Sequence, residues 1–273
     1  MVDAERFCER YGPCALIAGA AVGLGAAYAR ELAGYGLDVI LLDRDERALR
    51  ATADEIRSTA GVEVKPVRID LARPDLLDAI QPVIAGHEIG LVVCNAALGT
   101  VAPFLELDAA HLERMLDVNC RAPLRLVRAL APAMVGRRRG GLVLMSSLAG
   151  NIGSAQIAMY AATKAFALVL ADGLWAELVP HGVDVLAVQP GSTRTPGWLS
   201  SQPGDDTSMP AMEPADVVRE ALAALGNAPN VVAGELNRQG AAALAHMARR
   251  DAIAFLSGIT GQLQRNDGRE PPA

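Results

Sequence analysis

Short apolar runs alternate with helical patterns over most of the chain. The apolar runs predict strands at residues 15–18, 39–42, 62–69, 90–94, 141–145, 183–188 and 230–233. Helical spacing fills the intervals, with the longest segments at residues 108–135 and 160–179. Strands that alternate with helices pair in parallel through right-handed crossovers. The pattern therefore predicts an α/β fold, a single doubly wound parallel sheet of about seven strands with helices on both faces.

The same pattern predicts a single domain over residues 1–273, because neither a repeat nor a low-complexity block interrupts it. Residues 197–212 are rich in Pro, Gly, Ser and Asp, which predicts a mobile loop that closes over a substrate as a lid. Residues 237–263 have a helical pattern and lead into a polar tail that we expect to lack order. Residues 237–273 are thus predicted to be a C-terminal extension.

Composition narrows the class of protein. The formal net charge of −6 argues against a nucleic-acid partner, and we interpret the one basic run, 137–139, as a solvated helix end. The four Cys and four His are scattered without a C-x-x-C pair, so we expect no metal site and a reduced, cytoplasmic setting. The charged N-terminus does not resemble a signal peptide, and Gly and Pro interrupt the longest uncharged stretch, 11–29. We therefore expect no integral membrane segment.

A glycine-rich turn follows the first predicted strand and opens a helix, with the sequence Gly19-Ala20-Ala21-Val22-Gly23-Leu24-Gly25. Glycines let the backbone turn tightly and approach a pyrophosphate, and the helix N-terminus offers free N–H groups to an anion. The alternative interpretation is a turn without a ligand. The position after the first strand favours a dinucleotide site.

Asp43 ends the second predicted strand, where a carboxylate can accept hydrogen bonds from the ribose hydroxyls of a bound adenosine. An Asp near a helix N-terminus is also favoured for local reasons, so the residue alone leaves both interpretations open. The glycine-rich turn favours the functional one.

A third group of residues suggests acid/base chemistry. Tyr160 and Lys164 are four residues apart and share one face of a predicted helix. An ammonium beside a phenol favours the phenolate, so we expect the pKa of Tyr160 to be lowered. Ser147 follows an apolar strand and is predicted to point into the crevice at the strand ends. A Y-x-x-x-K pair is often only a surface pair, but here it opens an almost uncharged helix.

These motifs together resemble the short-chain dehydrogenase/reductase family over about residues 11–233. The glycine pattern matches the family's T-G-x-x-x-G-x-G with Ala18 in the Thr position, and Ser147 precedes Tyr160 by the expected 13 residues. The segment Pro190-Gly191-Ser192-Thr193-Arg194-Thr195 matches the family's P-G-x-x-x-T. Three departures are Ala18, Cys94 and Ala97, the last two within a segment that is N-N-A-G in the family.

The resemblance implies a Rossmann-type fold and the catalytic residues Asn119, Ser147, Tyr160 and Lys164. Pro123, which lacks an N–H, follows Asn119 by four residues, so the helix should kink and leave the Asn119 carbonyl free for a water-linked proton relay. The implied cofactor contacts are Gly19, Val22, Gly23, Leu24, Gly25, Asp43, Arg44, Asp70, Leu71, Asn95, Ala96, Ala97, Tyr160, Lys164, Pro190, Gly191, Thr193 and Thr195.

The family resemblance implies an enzyme that transfers a hydride between NAD(P)(H) and a carbonyl or secondary alcohol, with Tyr160 as general acid/base. The alternative is a non-catalytic dinucleotide sensor or scaffold. Asp43 favours NAD over NADP, whereas the adjacent Arg44 leaves NADP as a second option. The partner is a small carbonyl or alcohol, and Tyr11-Gly12-Pro13 with Met212-Glu213-Pro214 resembles a fatty-acyl and steroid ketoreductase branch. Family members commonly form homodimers or homotetramers through the two long helices.

Overall fold

The computed structural model describes residues 3–200 and 210–265. One seven-stranded sheet forms the centre, with all neighbouring strands parallel and the order β3-β2-β1-β4-β5-β6-β7. The strands are β1 (Cys14–Ala18), β2 (Asp38–Asp43), β3 (Val64–Arg68), β4 (Ile89–Cys94), β5 (Gly140–Met145), β6 (Val183–Gln189) and β7 (Asn230–Val232). The predicted doubly wound sheet is confirmed.

The strands are buried on both faces, as their continuous apolar runs require. In β1, Ala15 and Ile17 join one hydrophobic cluster, while Leu16 joins the cluster on the opposite face. The first cluster is covered by α2 (Gly23–Gly34), α3 (Glu46–Thr59) and α9 (Pro214–Ala224). The second is covered by α4 (Leu76–Ile84), α6 (Ala122–Arg137) and α7 (Ala158–Leu178).

Connections leave β1 and β4 on opposite sides, because the order of strands reverses between them. In doubly wound sheets a crevice opens at the carboxyl ends of the strands at this point. The glycine-rich turn after β1 and the segment after β4 both lie there: the N–H groups of Asn95 and Ala96 donate to the Ala18 carbonyl at 3.0 and 2.8 Å.

Helices outside the repeating pattern complete the described chain. They are α1 (Ala4–Tyr11), α5 (Ala109–Leu116), α8 (Pro196–Ser200), α10 (Glu235–His246) and α11 (Arg249–Arg265). The sequence pattern did not predict α1, and the predicted helical tail is two helices that continue two residues beyond 263. Most of the predicted lid, 201–209, and the tail from 266 lie outside the described residues.

The long helical segment predicted at 108–135 is interrupted. A π-helical turn at Asp117–Arg121 separates α5 from α6. Pro123 explains the interruption, because it cannot donate to the carbonyl of Asn119. Of the helices described, none combines the length and the apolar character needed to cross a bilayer.

Candidate active site

The glycine-rich turn packs too tightly for side chains. Gly19 has φ +87°, and a Cβ there would lie 2.6 Å from the Ala96 Cα. A Cβ on Gly25 would lie 1.8 Å from the Gly19 carbonyl oxygen, so α2 starts directly against the turn. The side-chain amide of Asn95 donates to the same oxygen at 2.7 Å. This arrangement presents the N-terminal N–H groups of α2 at the crevice.

A cavity of about 210 Å³ opens beside this turn. Nine of the predicted cofactor contacts line it: Gly19, Val22, Asp43, Arg44, Asp70, Leu71, Asn95, Ala96 and Ala97. Four lining residues were not predicted: Ile69, Leu98, Arg114 and Val118. Arg114 and Val118 are four residues apart and lie on one face of α5 and the π turn. Helical spacing in the sequence could therefore have identified them as neighbours.

Asp43 presents its carboxylate at the end of β2. One oxygen accepts the Ala21 N–H at 3.0 Å and the other accepts the Asp45 N–H at 3.1 Å. Each carboxylate oxygen has a further lone pair, so the group can accept additional hydrogen bonds from a ligand. Arg44 lines the same cavity.

Tyr160 and Lys164 lie on the first turns of α7, next to the end of β5. Burial raises the pKa of Tyr160, and a hydrogen bond with Ser147 offsets part of that rise. The expectation of a lowered Tyr160 pKa is therefore wrong. The physical reason is that burial of the phenol raises its pKa by more than the Ser147 hydrogen bond lowers it. The Lys164 amine lies over the Tyr160 ring, 5.6 Å from its centre, and donates to the Met145 carbonyl at 2.9 Å.

The Lys164 side chain is buried, with 4% of the residue exposed. Burial lowers its pKa to about 8. Two buried hydroxyls not predicted from the sequence hold this turn of α7: Ser146 donates to the Lys164 carbonyl at 2.8 Å, and Thr163 donates to the Tyr160 carbonyl at 2.8 Å. No local sequence signal identifies the Ser146 bond, because it joins the end of β5 to α7, whereas the Thr163 bond spans three residues of one helix.

Asn119 lies in the π turn and connects three elements through its side chain. Its oxygen accepts the Leu98 N–H at 2.7 Å, and its nitrogen donates to the Leu98 carbonyl and to Thr163, both at 2.9 Å. Gly99, the residue after Leu98, lies against the Tyr160 ring, because a Cβ on this glycine would lie 3.2 Å from a ring carbon. Asn119 thus joins the segment after β4 to the turn that carries Tyr160. The proton relay through its carbonyl stays a prediction.

The segment after β6 lies between the glycine-rich turn and α10. A Cβ on Gly23 would lie 2.9 Å from the Thr195 methyl, and one on Gly191 would lie 2.3 Å from the Asn237 amide oxygen. Thr193 is buried and pairs with Met212 through an isolated β-bridge. Pro190, Gly191, Thr193 and Thr195 do not line the cavity itself, and neither do Gly23, Leu24 or Gly25.

The glycine cradle, the carboxylate of Asp43 and the buried Lys164 all fit a dinucleotide lying across the carboxyl edge of the sheet. Ser147, whose oxygen also accepts the Ala149 N–H at 3.2 Å, places a hydroxyl beside the phenol of Tyr160. Within residues 3–200 and 210–265, His, Cys, Asp and Glu nowhere gather in threes that could hold a metal ion.

Comparison with known proteins agrees with this geometry. The model of the short chain dehydrogenase family matches residues 13–205. A 7beta-hydroxysteroid dehydrogenase of Clostridium sardiniense is 34% identical over 251 residues, covering 92% of this chain and 96% of that protein. The named relatives are enzymes, and the non-catalytic alternative finds no support among them.

Two solved structures have the same fold. One comes from a study of 7beta-hydroxysteroid dehydrogenase stereoselectivity and superposes with a TM-score of 0.86 at 30% identity, covering 92% of this chain and 99% of that one. The other is a short-chain dehydrogenase from Sphingobium yanoikuyae in complex with NADPH, with a TM-score of 0.74 at 34% identity, covering 96% and 98%. The chain belongs to the short-chain dehydrogenase family and is an NAD(P)-dependent oxidoreductase that acts on CH–OH and C=O groups.

Proposed function

We propose that this enzyme interconverts a ketone and a secondary alcohol on a hydroxysteroid-like substrate, with Ser147, Tyr160 and Lys164 as its catalytic residues. The observation that carries the proposal is the convergence of these three side chains at the carboxyl end of β5, beside a cavity lined by nine predicted cofactor contacts. A bound nicotinamide dinucleotide supplies the hydride chemistry.

In the reductive direction, the Tyr160 hydroxyl gives its proton to the carbonyl oxygen, and Ser147 donates a hydrogen bond to that oxygen. The Lys164 ammonium binds the ribose next to the nicotinamide and stabilises the phenolate left on Tyr160. Asn119 holds the Leu98 segment and supports a proton relay to Lys164. A raised pKa keeps Tyr160 protonated before the reaction, as a general acid requires.

The Tyr160→Phe variant tests these roles. Phe keeps the packing of the ring and removes only the proton donor, so kcat should fall by about 10³-fold while cofactor affinity changes little. The measurement is turnover of a confirmed substrate with cofactor titration by fluorescence. Wild-type kcat in the variant would refute the mechanism.

The substrate class rests on similarity to the 7beta-hydroxysteroid dehydrogenases and on the motifs at residues 11–13 and 212–214. A panel of keto- and hydroxysteroids, 3-oxoacyl thioesters and sugars, assayed by nicotinamide absorbance, tests it. Steroids should have the highest kcat/KM of the panel. Preference for the thioesters or the sugars would reject the steroid assignment.

We propose that NAD(H) is preferred to NADP(H), because Asp43 lies where the adenosine ribose is expected. A 2′-phosphate about 4 Å from its carboxylate would be repelled by about 4 kcal/mol at an effective dielectric of about 20. Half of that repulsion would still lower affinity more than about tenfold. Val22, directly before the second glycine of the turn, also favours NAD(H), because it offers no basic group to a 2′-phosphate. Two observations favour NADP(H) instead. Arg44 is a suitable ligand for the 2′-phosphate, and the similar short-chain dehydrogenase from Sphingobium yanoikuyae is solved in complex with NADPH.

Titration of both cofactors at matched ionic strength, in wild type and in Asp43→Ser, tests the preference. Wild type should bind NAD(H) more tightly, and the substitution should narrow or reverse the difference. Tighter binding of NADP(H) by wild type would assign the determining role to Arg44.

We further propose that the whole chain forms one catalytic domain, with 197–212 as a substrate lid. We expect this domain to form a homodimer or homotetramer in the cytoplasm. Exposed apolar side chains on α6 and α7, Leu124, Phe166 and Val169, support packing against a second copy. A monomeric mass by light scattering at working concentration would contradict the assembly.

A further inference from the structure

The segment that follows β4, residues 98–102, is fixed at both ends by hydrogen bonds to other elements. The Leu98 N–H and carbonyl both bond to the Asn119 side chain, at 2.7 and 2.9 Å. At the other end, the Ala102 N–H donates to the Gln156 carbonyl at 2.8 Å. The first contact ties the segment to the π turn, and the second ties it to the stretch that precedes α7. Both ends therefore follow the elements that surround the proposed catalytic residues.

One side-chain hydrogen bond holds the middle of this segment. The backbone of residues 99–101 makes no hydrogen bond with any described residue. Oγ1 of Thr100 lies 2.8 Å from Nε2 of His111, which projects from α5, and both side chains are half-buried. Either charge state of the ring supports this contact, because a neutral imidazole accepts from the hydroxyl and a protonated one donates to it. His111 therefore supplies the polar tie for the middle of the segment.

Gly99, the residue before Thr100, lies against one edge of the Tyr160 ring. A Cβ on Gly99 would lie 3.2 Å from Cδ2 of the ring and 3.3 Å from Cε2, closer than most carbon contacts in proteins. The glycine therefore lets the backbone lie directly along this edge. Cε2 is bonded to the carbon that carries the phenol oxygen, so a displacement of the segment changes the support next to the reacting group. A misplacement of about 1 Å at a catalytic group can lower the rate about a hundredfold.

We propose that His111 is a positioning residue for Tyr160. By holding Thr100 it keeps the neighbouring glycine against the phenol ring, which fixes the direction of the hydroxyl that transfers the proton. The proposal rests on the proposed function, in which Tyr160 is the general acid. His111 and Thr100 do not line the cofactor cavity, so the role concerns the chemical step and not cofactor binding.

Two single variants remove the contact from either side. His111→Phe keeps a planar ring without nitrogen, and Thr100→Val keeps the volume without the hydroxyl. Each should lower the single-turnover rate of cofactor oxidation about five- to thirtyfold, the range for loss of one hydrogen bond, while the cofactor Kd and the substrate KM stay within about twofold. The double variant should be no slower than the single ones, because both remove the same contact. His111→Gln, whose amide offers a donor and an acceptor, should regain most of the rate.

The Tyr160→Phe background separates positioning of the hydroxyl from a purely structural role. Without the hydroxyl there is nothing left to align, so adding His111→Phe should change the residual rate by less than about twofold. A structural role would lower the residual rate by the same factor as in wild type.

The matched control is His87→Phe. His87 is also half-buried and makes a side-chain contact, with its Nε2 3.4 Å from the Lys65 amine. It lies just before β4, at the end of the sheet opposite Tyr160, so this variant should keep the wild-type rate. Thermal unfolding establishes that each variant is folded before the kinetics. Thr100→Val takes the place of His111→Phe in both backgrounds if the latter does not fold.

Wild-type rates in both single variants, or equal losses from His111→Phe in the wild-type and Tyr160→Phe backgrounds, would overturn the proposal and leave the proposed function standing. A rise in cofactor Kd or substrate KM in place of a lower rate would also overturn it, because the contact would then hold a ligand and not the phenol. A wild-type rate in Tyr160→Phe by itself would overturn the proposed function and the proposal with it.

Discussion

At the scale of single residues, burial governs the chemistry of the proposed catalytic pair. The amine of Lys164 has a pKa lowered to about 8, whereas burial raises the pKa of Tyr160. Both shifts favour the uncharged form, because each group leaves water for a low-dielectric interior. Lys164 therefore loses its proton at a lower pH than Tyr160, although a free amine and a free phenol titrate close together.

This order predicts a pH dependence for reduction. Below about pH 8 Lys164 is charged and can bind the cofactor, and above it the charge is lost, while Tyr160 keeps its proton throughout. The kcat/KM for reduced cofactor, which reports the free enzyme, should be level below about pH 8 and fall about tenfold per unit above it. Steady-state rates with a ketone substrate provide the measurement.

Lys164→Arg is the diagnostic variant, because a guanidinium stays charged over the whole range. Its activity should be lower, but the fall near pH 8 should disappear from its profile. Persistence of the same fall in this variant would exclude Lys164 as the titrating group.

At the scale of elements, the C-terminal helix α11 supports the segment that precedes Tyr160. Ser257 accepts the Ala155 N–H and Thr260 donates to the Ala155 carbonyl, both at 3.0 Å. The next residue, Gln156, has φ +67°, and its carbonyl accepts the Ala102 N–H at 2.8 Å. Gln156 also has a buried side-chain oxygen with no hydrogen-bond partner among the described residues. Backbone strain and an unpaired polar atom in one residue indicate a segment held in place for function.

The double variant Ser257→Ala/Thr260→Val removes both hydrogen bonds to Ala155 with little change in volume. Each bond is worth about 1 kcal/mol, so the segment should loosen and KM for the carbonyl substrate should rise several-fold. Cofactor affinity should be unchanged, because α11 does not contribute to the lining of the cavity.

The control is Ser58→Ala/Thr59→Val, an adjacent Ser and Thr on α3 that bond only to carbonyls of their own helix. Steady-state kinetics of the two double variants should differ in KM alone. Equal KM values would contradict a role for α11 in holding the segment that precedes Tyr160.

At the scale of the whole molecule, a second polar cluster lies at the opposite end of the sheet from the site. Asp184, near the start of β6, accepts hydrogen bonds from Tyr11 at 2.8 Å and from Arg10 at 2.9 Å. Its side chain is only 9% exposed. The cluster joins the end of α1 to the centre of the fold, since Tyr11 packs with Phe7 in the same hydrophobic cluster as β1.

Asp184→Asn keeps the volume of the side chain and removes the charge that two donors share. The free energy of unfolding should fall by about 1–3 kcal/mol, the usual loss for a buried hydrogen bond to a charged group. Urea denaturation measures it, and cofactor affinity should not change because the cluster is remote from the carboxyl ends of the strands.

Asp216→Asn is the matched control, because Asp216 forms an ion pair with Arg219 on the exposed surface of α9. Its effect should be below about 0.5 kcal/mol. Equal losses in the two variants would show that burial does not set the contribution of Asp184.

The sequence alone determined the features that depend on residues close together in the chain. The strands, the glycine-rich turn, the interruption caused by Pro123 and the spacing of Tyr160 and Lys164 follow from local patterns, and the structure has all of them. A period of apolar positions or a missing N–H acts within a few residues, so its consequence can be derived without knowing the fold.

Tertiary structure decided what depends on residues far apart in the chain. Arg114 meets Asp70 across 44 positions, and Thr260 meets Ala155 across 105. The predicted direction of the Tyr160 pKa shift was wrong, because helical spacing places Lys164 near the phenol but does not reveal that burial of the phenol dominates. Solvation and pairing of charged groups are properties of the packed molecule, since neighbours from several elements together exclude the water.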